Sequence, residues 1–169
     1  MKRKLILLLL AAAFMLTGCA GKTQNEEAAE QCEAFFAAFK ECDGETVGRM
    51  LEGSGSPFSF NDLTAAMAKR METEIGKVSQ KGETVKVSVK ISTVDFETLL
   101  NDVSEETDSE QSAHDYLLKA VQAEDAKMKT FKTDIYIKNG KIQMTSDLAD
   151  ALTGGYMSVL NGILEEAQK

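Results

Sequence analysis

Few side chains in this 169-residue chain could do chemistry: three cysteines, one histidine, and a surplus of carboxylates, with 27 acidic residues against 19 basic ones. Cys19 stands directly after Leu16-Thr17-Gly18, at the end of an apolar run, where its thiolate could be alkylated. His114, Asp95 and Asp134 are the candidates for the acid and base that an isomerase or dehydratase would hold in a pocket. No second histidine or activated nucleophile accompanies them, and two have plainer readings. His114 follows an acidic run on an expected helix face, and Asp95 is placed to cap a helix. No catalytic residue is assigned.

Metal chemistry finds equally little support. The run from Asp102 through Glu105, Glu106 and Asp108 to Glu110 could attract calcium, but it lacks the glycine turn and alternating ligands of an EF-hand loop. A solvated acidic bend is expected there. The chain also lacks a zinc-type cluster of cysteine and histidine, a phosphate-cradling glycine loop and a nucleophile elbow, so neither metal nor cofactor is expected.

The segment around Cys19 is more specific. Lys2-Arg3-Lys4 precedes the apolar stretch from Leu5 to Leu16 and then the small residues Thr17 and Gly18, the three-part plan of a secretory signal. That stretch falls short of the roughly 20 residues that a spanning helix needs. Leu16-Thr17-Gly18-Cys19 resembles the lipobox of bacterial lipoproteins. The resemblance implies cleavage between Gly18 and Cys19, a diacylglycerol on the Cys19 thiol, and palmitate-type chains in the cell membrane. One acyl chain holds marginally and two hold stably.

The expected organisation is a signal peptide over 1–18, a lipidated tether over 19–26 and a single domain over 27–169 on the extracytoplasmic face. Losing 1–18 removes three basic residues and no acidic one, so the mature chain is more acidic than its formal charge of −8. Such a surface is repelled by anionic headgroups and by nucleic acid.

The remaining sequence must supply the elements that position any site. Ala28, Cys32, Phe35, Phe36 and Phe39 form a helical stripe between Glu26 and Glu41. Cys32 and Cys42 would lie about 15 Å apart on a continuous helix, so two free thiols are expected. A short helix over 45–52, the loop Gly53 to Pro57, and a helix from Asn61 or Asp62 to about Glu74 follow. Val85, Val87, Val89 and Ile91 alternate with polar residues as a strand with one buried face, paired with Lys77 to Gln80 across Lys81-Gly82.

Phe96, Leu99, Leu100 and Val103 mark a helix capped by Asp95, and Tyr116, Leu117, Leu118 and Val121 mark another. Asn139-Gly140 predicts a type I′ hairpin that puts Ile137 opposite Ile142 and Ile135 opposite Met144. A turn of helix over 147–152 and a last helix with Met157, Leu160, Ile163 and Leu164 complete the chain.

This order is that of an α+β domain, an antiparallel curved sheet packed with N-terminal and intervening helices. Together with Phe35-Phe36-Ala37-Ala38-Phe39, Asp43-Gly44, Thr93-Val94-Asp95, Lys138-Asn139-Gly140-Lys141 and Ala151-Leu152-Thr153-Gly154-Gly155, it resembles small lipoproteins with a nuclear-transport-factor-2-like cone. The resemblance implies fold and location rather than an activity. Met50, Met67, Met71, Met128, Met144 and Met157 are read as core filling that could also line an adaptable pocket. Phe58, Phe60 and Tyr156 are candidates for closing the cone.

Three functions are compatible with these features. The leading one is a non-enzymatic binding module for a small apolar ligand or an envelope protein. The others are a structural envelope module and a pocket enzyme.

Overall fold

The computed structural model describes residues 23–106, 110–159 and 162. The signal segment, Cys19, Asp108, Leu160, Ile163 and Leu164 lie outside the described residues.

Helix α1, Gln24–Lys40, opens with a capping box. The Thr23 hydroxyl accepts from the Glu26 amide at 3.3 Å, and the Glu26 carboxylate accepts from the Thr23 amide at 2.8 Å. This cap starts the helix two residues before the apolar stripe marks it. The helix ends where the Asp43 amide reaches back to Ala38 O at 2.9 Å, with Cys42 at φ +58° in the left-handed region. Cys32 and Cys42 are both free thiols, as expected.

Helix α2, Gly44–Met50, is capped by Asp43, which accepts from the Thr46 amide at 3.0 Å. It packs backbone to backbone against the end of the following loop. A Cβ on Gly44 would stand 2.1 Å from Phe58 O, and one on Gly48 2.5 Å from Ser56 O.

Helix α3, Asp62–Arg70, has its own capping box between Asn61 and Thr64. It ends earlier than the sequence pattern indicates, because Met71 adopts an extended backbone and begins the approach to strand β1, Glu72–Lys81. Met71 is buried although it is extended, and its spacing of four from the buried Met67 is also that of a helical stripe, so the spacing does not distinguish helix from strand.

Strands β2 (Thr84–Val94), β3 (Met128–Lys138) and β4 (Lys141–Gln143) complete an open, curved antiparallel sheet in the order β1-β2-β3-β4. Asn139 at φ +51° and Gly140 at φ +69° form the expected turn, and Ile137 pairs with Ile142. The pairing of Ile135 with Met144 does not form. The chain leaves the sheet after Gln143 so that Thr145 can cap the next helix, which leaves Met144 exposed.

Between β2 and β3 lie α4 (Phe96–Glu106) and α5 (Glu110–Gln122), and α6 (Ser146–Leu152) follows β4. Tyr156 to Val159 are also helical. The Arg70 guanidinium ties α3 to the end of α5, donating to Val121 O at 2.9 Å and to Ala123 O. A cation there also complements the negative end of the α5 dipole.

The core has two parts. In the larger, α1, α2 and α6 cover the sheet face that carries Val85, Val87, Val89, Ile91, Ile135, Ile137 and Ile142. Each such side chain contributes about 1.5–3 kcal/mol on burial. The smaller part joins Met67, Val94, Phe96, Leu99, Val103, Leu117 and Val121 at the far end of β2. The α+β class is therefore as expected, with helices packed on an open antiparallel sheet.

Thr93 is an exception within this apolar interior. It is fully buried and its hydroxyl has no hydrogen-bond partner among the described residues. An unsatisfied buried group costs about 1–3 kcal/mol. Thr93→Val keeps the shape and removes the polar atom, so the urea midpoint should rise, by about 1 kcal/mol in stability. A lowered midpoint would show that the hydroxyl is satisfied after all.

Candidate functional site

An apolar groove of about 330 Å³ opens where α3, α4 and α5 meet the segment after α6. Leu63 and Met67 face it from α3, four residues apart and thus on one side of the helix. Phe96 and Leu100 repeat that spacing on α4, and Leu117 closes the groove from α5. Asn61, Thr64, Thr153 and Tyr156 supply the remaining lining.

Capping hydrogen bonds hold these walls in place. Asp95 starts α4 by accepting from the Thr98 amide at 3.3 Å and the Thr98 hydroxyl at 2.9 Å. Thr153 spends its hydroxyl on Ala149 O at 2.8 Å, so it presents mainly its methyl group. Tyr156 packs its ring edge against Phe96 with centroids 5.5 Å apart. Gly154 holds this corner tightly: its carbonyl accepts from the Phe96 amide at 3.0 Å, and its φ is +63°. Among the described residues no acidic, basic or histidine side chain lines the groove.

The proposed acid and base residues are dispersed. His114 is exposed on α5 beside Asp115, with Nδ1 3.6 Å from Oδ1. Asp95 is occupied with its cap. Asp134 lies on the uncovered face of the sheet, where it accepts from Lys86 at 2.8 Å and Ser88 at 2.7 Å. Those hydrogen bonds, Lys86 foremost, hold its carboxyl below the ordinary carboxylate range, and the same pairing raises Lys86. A carboxylate stabilised in this way is a poor proton acceptor at neutral pH.

A second cleft, of about 360 Å³, lies on the same uncovered face and includes Glu74, Ser88, Lys90, Lys132 and Asp134. Its charges largely satisfy one another, since Lys90 pairs with Glu74 at 2.9 Å and Lys86 with Asp134. Among the described residues no group of three or more histidine, cysteine, aspartate or glutamate side chains could hold a metal ion. Asp102 is exposed on α4.

Tyr156 and Met67, both candidates from the sequence, do line the groove. Phe58 and Phe60 do not close an opening. They meet the Phe39 ring at 5.6 and 5.0 Å between centroids, tilted and edge-on, and pack half-buried against the larger core, because the 56–58 backbone docks on α2. Met71 is buried, Met50 packs against the core, and Met128 and Met157 are exposed. Leu63, Phe96, Leu100 and Leu117 were not singled out as lining. The adjacent pair Leu99 and Leu100 was the available signal, since one core-facing stripe needs only one of them: Leu99 enters the core and Leu100 turns to the groove.

No protein-family model matches the chain, and no curated protein matches it. The chain is similar to the solved structure of an M. tuberculosis LEH-like epoxide hydrolase, at 16% identity and a TM-score of 0.34, over 83% of this chain and 99% of that one. At that distance the likeness bears on neither activity nor site. Among the described residues no helix is long and apolar enough to cross a membrane.

Proposed function

We propose that the protein is a lipoprotein, anchored through Cys19 on the extracytoplasmic face of the cell membrane, whose domain binds a small apolar ligand without transforming it. The observation that carries the binding role is the groove between α3, α4 and α5, walled by Leu63, Met67, Phe96, Leu100, Leu117 and Tyr156 with no charged side chain among the described residues. Its volume of about 330 Å³ falls at the lower end of small-molecule sites. The lining selects by shape and apolar area.

An environment-sensitive uncharged dye such as Nile red tests this reading. The folded protein should bind it at one site, and Leu100→Glu should weaken binding at least about tenfold, because a carboxylate would be buried without a partner. The variant should keep a cooperative thermal transition. Equal dye binding by both proteins would remove the groove as the site. Mass spectrometry of natively purified protein would then identify the resident molecule, and co-purification of an envelope protein in its place would favour the interaction module.

A further inference from the structure

We propose that the anchored domain stands on its two hairpin tips, with the β1–β2 and β3–β4 turns against the lipid headgroups and the apolar groove held at the opposite, outward end. This rests on the reading that Cys19 carries the lipid.

The tether sets the first constraint. Cys19 and Thr23 are four residues apart, a reach of at most about 14 Å at full extension. Thr23 is fixed to α1 by its capping box, so the first turn of α1 must stay near the bilayer surface.

That turn lies beside both hairpin tips. Gln31 Nε2 donates to Gly140 O at 2.8 Å, which pins α1 to the β3–β4 turn. Gln24 and Glu27 share a cleft with Gly82 and Glu83 of the other turn. The two hairpins and the tether thus emerge at one end of the domain.

The groove lies at the other end. From Thr84 beside the tips, β2 runs 11 residues to Val94, about 33 Å at strand spacing. Phe96 follows at once, and Gly154 packs on Val94 O. Helix α1, 17 residues or about 25 Å long, runs in the same direction, bringing Phe39 and Cys42 toward α3.

Charge opposes the alternative of a domain lying flat. The chain carries a formal −8, which anionic headgroups repel. The end that holds the tips is close to balanced, with Lys81, Lys138 and Lys141 set against Glu26, Glu27 and Glu83. The groove's occupant then approaches from the side away from the bilayer that holds the anchor.

The chain contains no tryptophan, so single introduced tryptophans report position cleanly. Glu83→Trp and Lys81→Trp mark the tip, and Tyr156→Trp marks the groove. Each full-length lipidated protein is placed in phosphatidylcholine and phosphatidylglycerol vesicles containing a dansyl-headgroup lipid. Energy transfer from either tip position should exceed that from 156 by at least about threefold, given a separation near 30 Å. Two tip variants guard against a folding defect in one.

Intact mass of the purified protein reports the diacylglycerol. Its absence overturns the anchor and the orientation together. With the lipid present, equal transfer from both ends, or greater transfer from 156, overturns the orientation alone.

Discussion

Gly154→Ala is expected to cost about 4 kcal/mol of stability, a large share of the 5–15 kcal/mol that holds a typical domain together. Two effects combine. Gly154 sits at φ +63°, where an L-residue with a Cβ costs roughly 1–2 kcal/mol. A Cβ there would also stand 2.1 Å from Val94 O and 3.0 Å from the Met67 methyl, so the segment must move away from β2. That movement would stretch the hydrogen bond from the Phe96 amide to Gly154 O.

Gly82 isolates the first effect, because it has the same φ of +63° and nothing within 4 Å of its Cβ position. Gly82→Ala should show the backbone cost alone, about 1–2 kcal/mol. The difference between the two urea midpoints measures the close approach. If the two substitutions proved equal, the corner that carries Thr153 and Tyr156 would be looser than described, and so would the groove wall that they form.

Cys19→Ala should abolish incorporation of labelled palmitate and leave the precursor uncut or the protein free of lipid. The reasoning is chemical: the Cys19 thiolate attacks the diacylglyceryl carbon of a phospholipid donor, forming a thioether C–S bond as the C–O bond to the headgroup phosphate breaks, and alanine offers no nucleophile. Two acyl chains, at about 0.8 kcal/mol per buried methylene, hold a protein on the bilayer where one holds it marginally. The variant should therefore also lose the lipid-dependent part of its membrane association. Cys32→Ser is the useful companion, since Cys32 is buried in the larger core and should not alter labelling in protein that still folds. Undiminished labelling of Cys19→Ala would remove the anchor.

The parts of the fold that could be read in advance are those in which local chemistry and tertiary burial agree. Val85 to Ile91 alternate because only one face of β2 is covered, and Asn139-Gly140 takes the positive backbone angles of its turn. Strand β1 was only half legible, because a bulge between Ile75 and Val78 interrupts the alternation. A Cβ on Gly76, inside that bulge, would come within 2.9 Å of Ser88 O. The sequence pattern overextends α3 because Met71, four residues after Met67, continues a helical stripe while its backbone is already extended. The groove was the least legible feature: its walls come from positions between 61 and 156 that only the folded chain brings together. A stripe on one helix shows which residues leave water, not which of them stop short of a neighbour.

Cys32 shows what folding does to a single reactive group. Burial, with a smaller push from Glu33, raises its pKa to about 12. At pH 7 that leaves roughly one thiolate in 10⁵ molecules, against a few in a hundred for an ordinary cysteine. A nascent chain displays this thiol to any oxidant or partner cysteine, and docking of α1 on the sheet then withdraws it. The phenylalanine helix thus serves Cys32 as a protecting group serves a synthetic intermediate, and it is removed only when the protein unfolds.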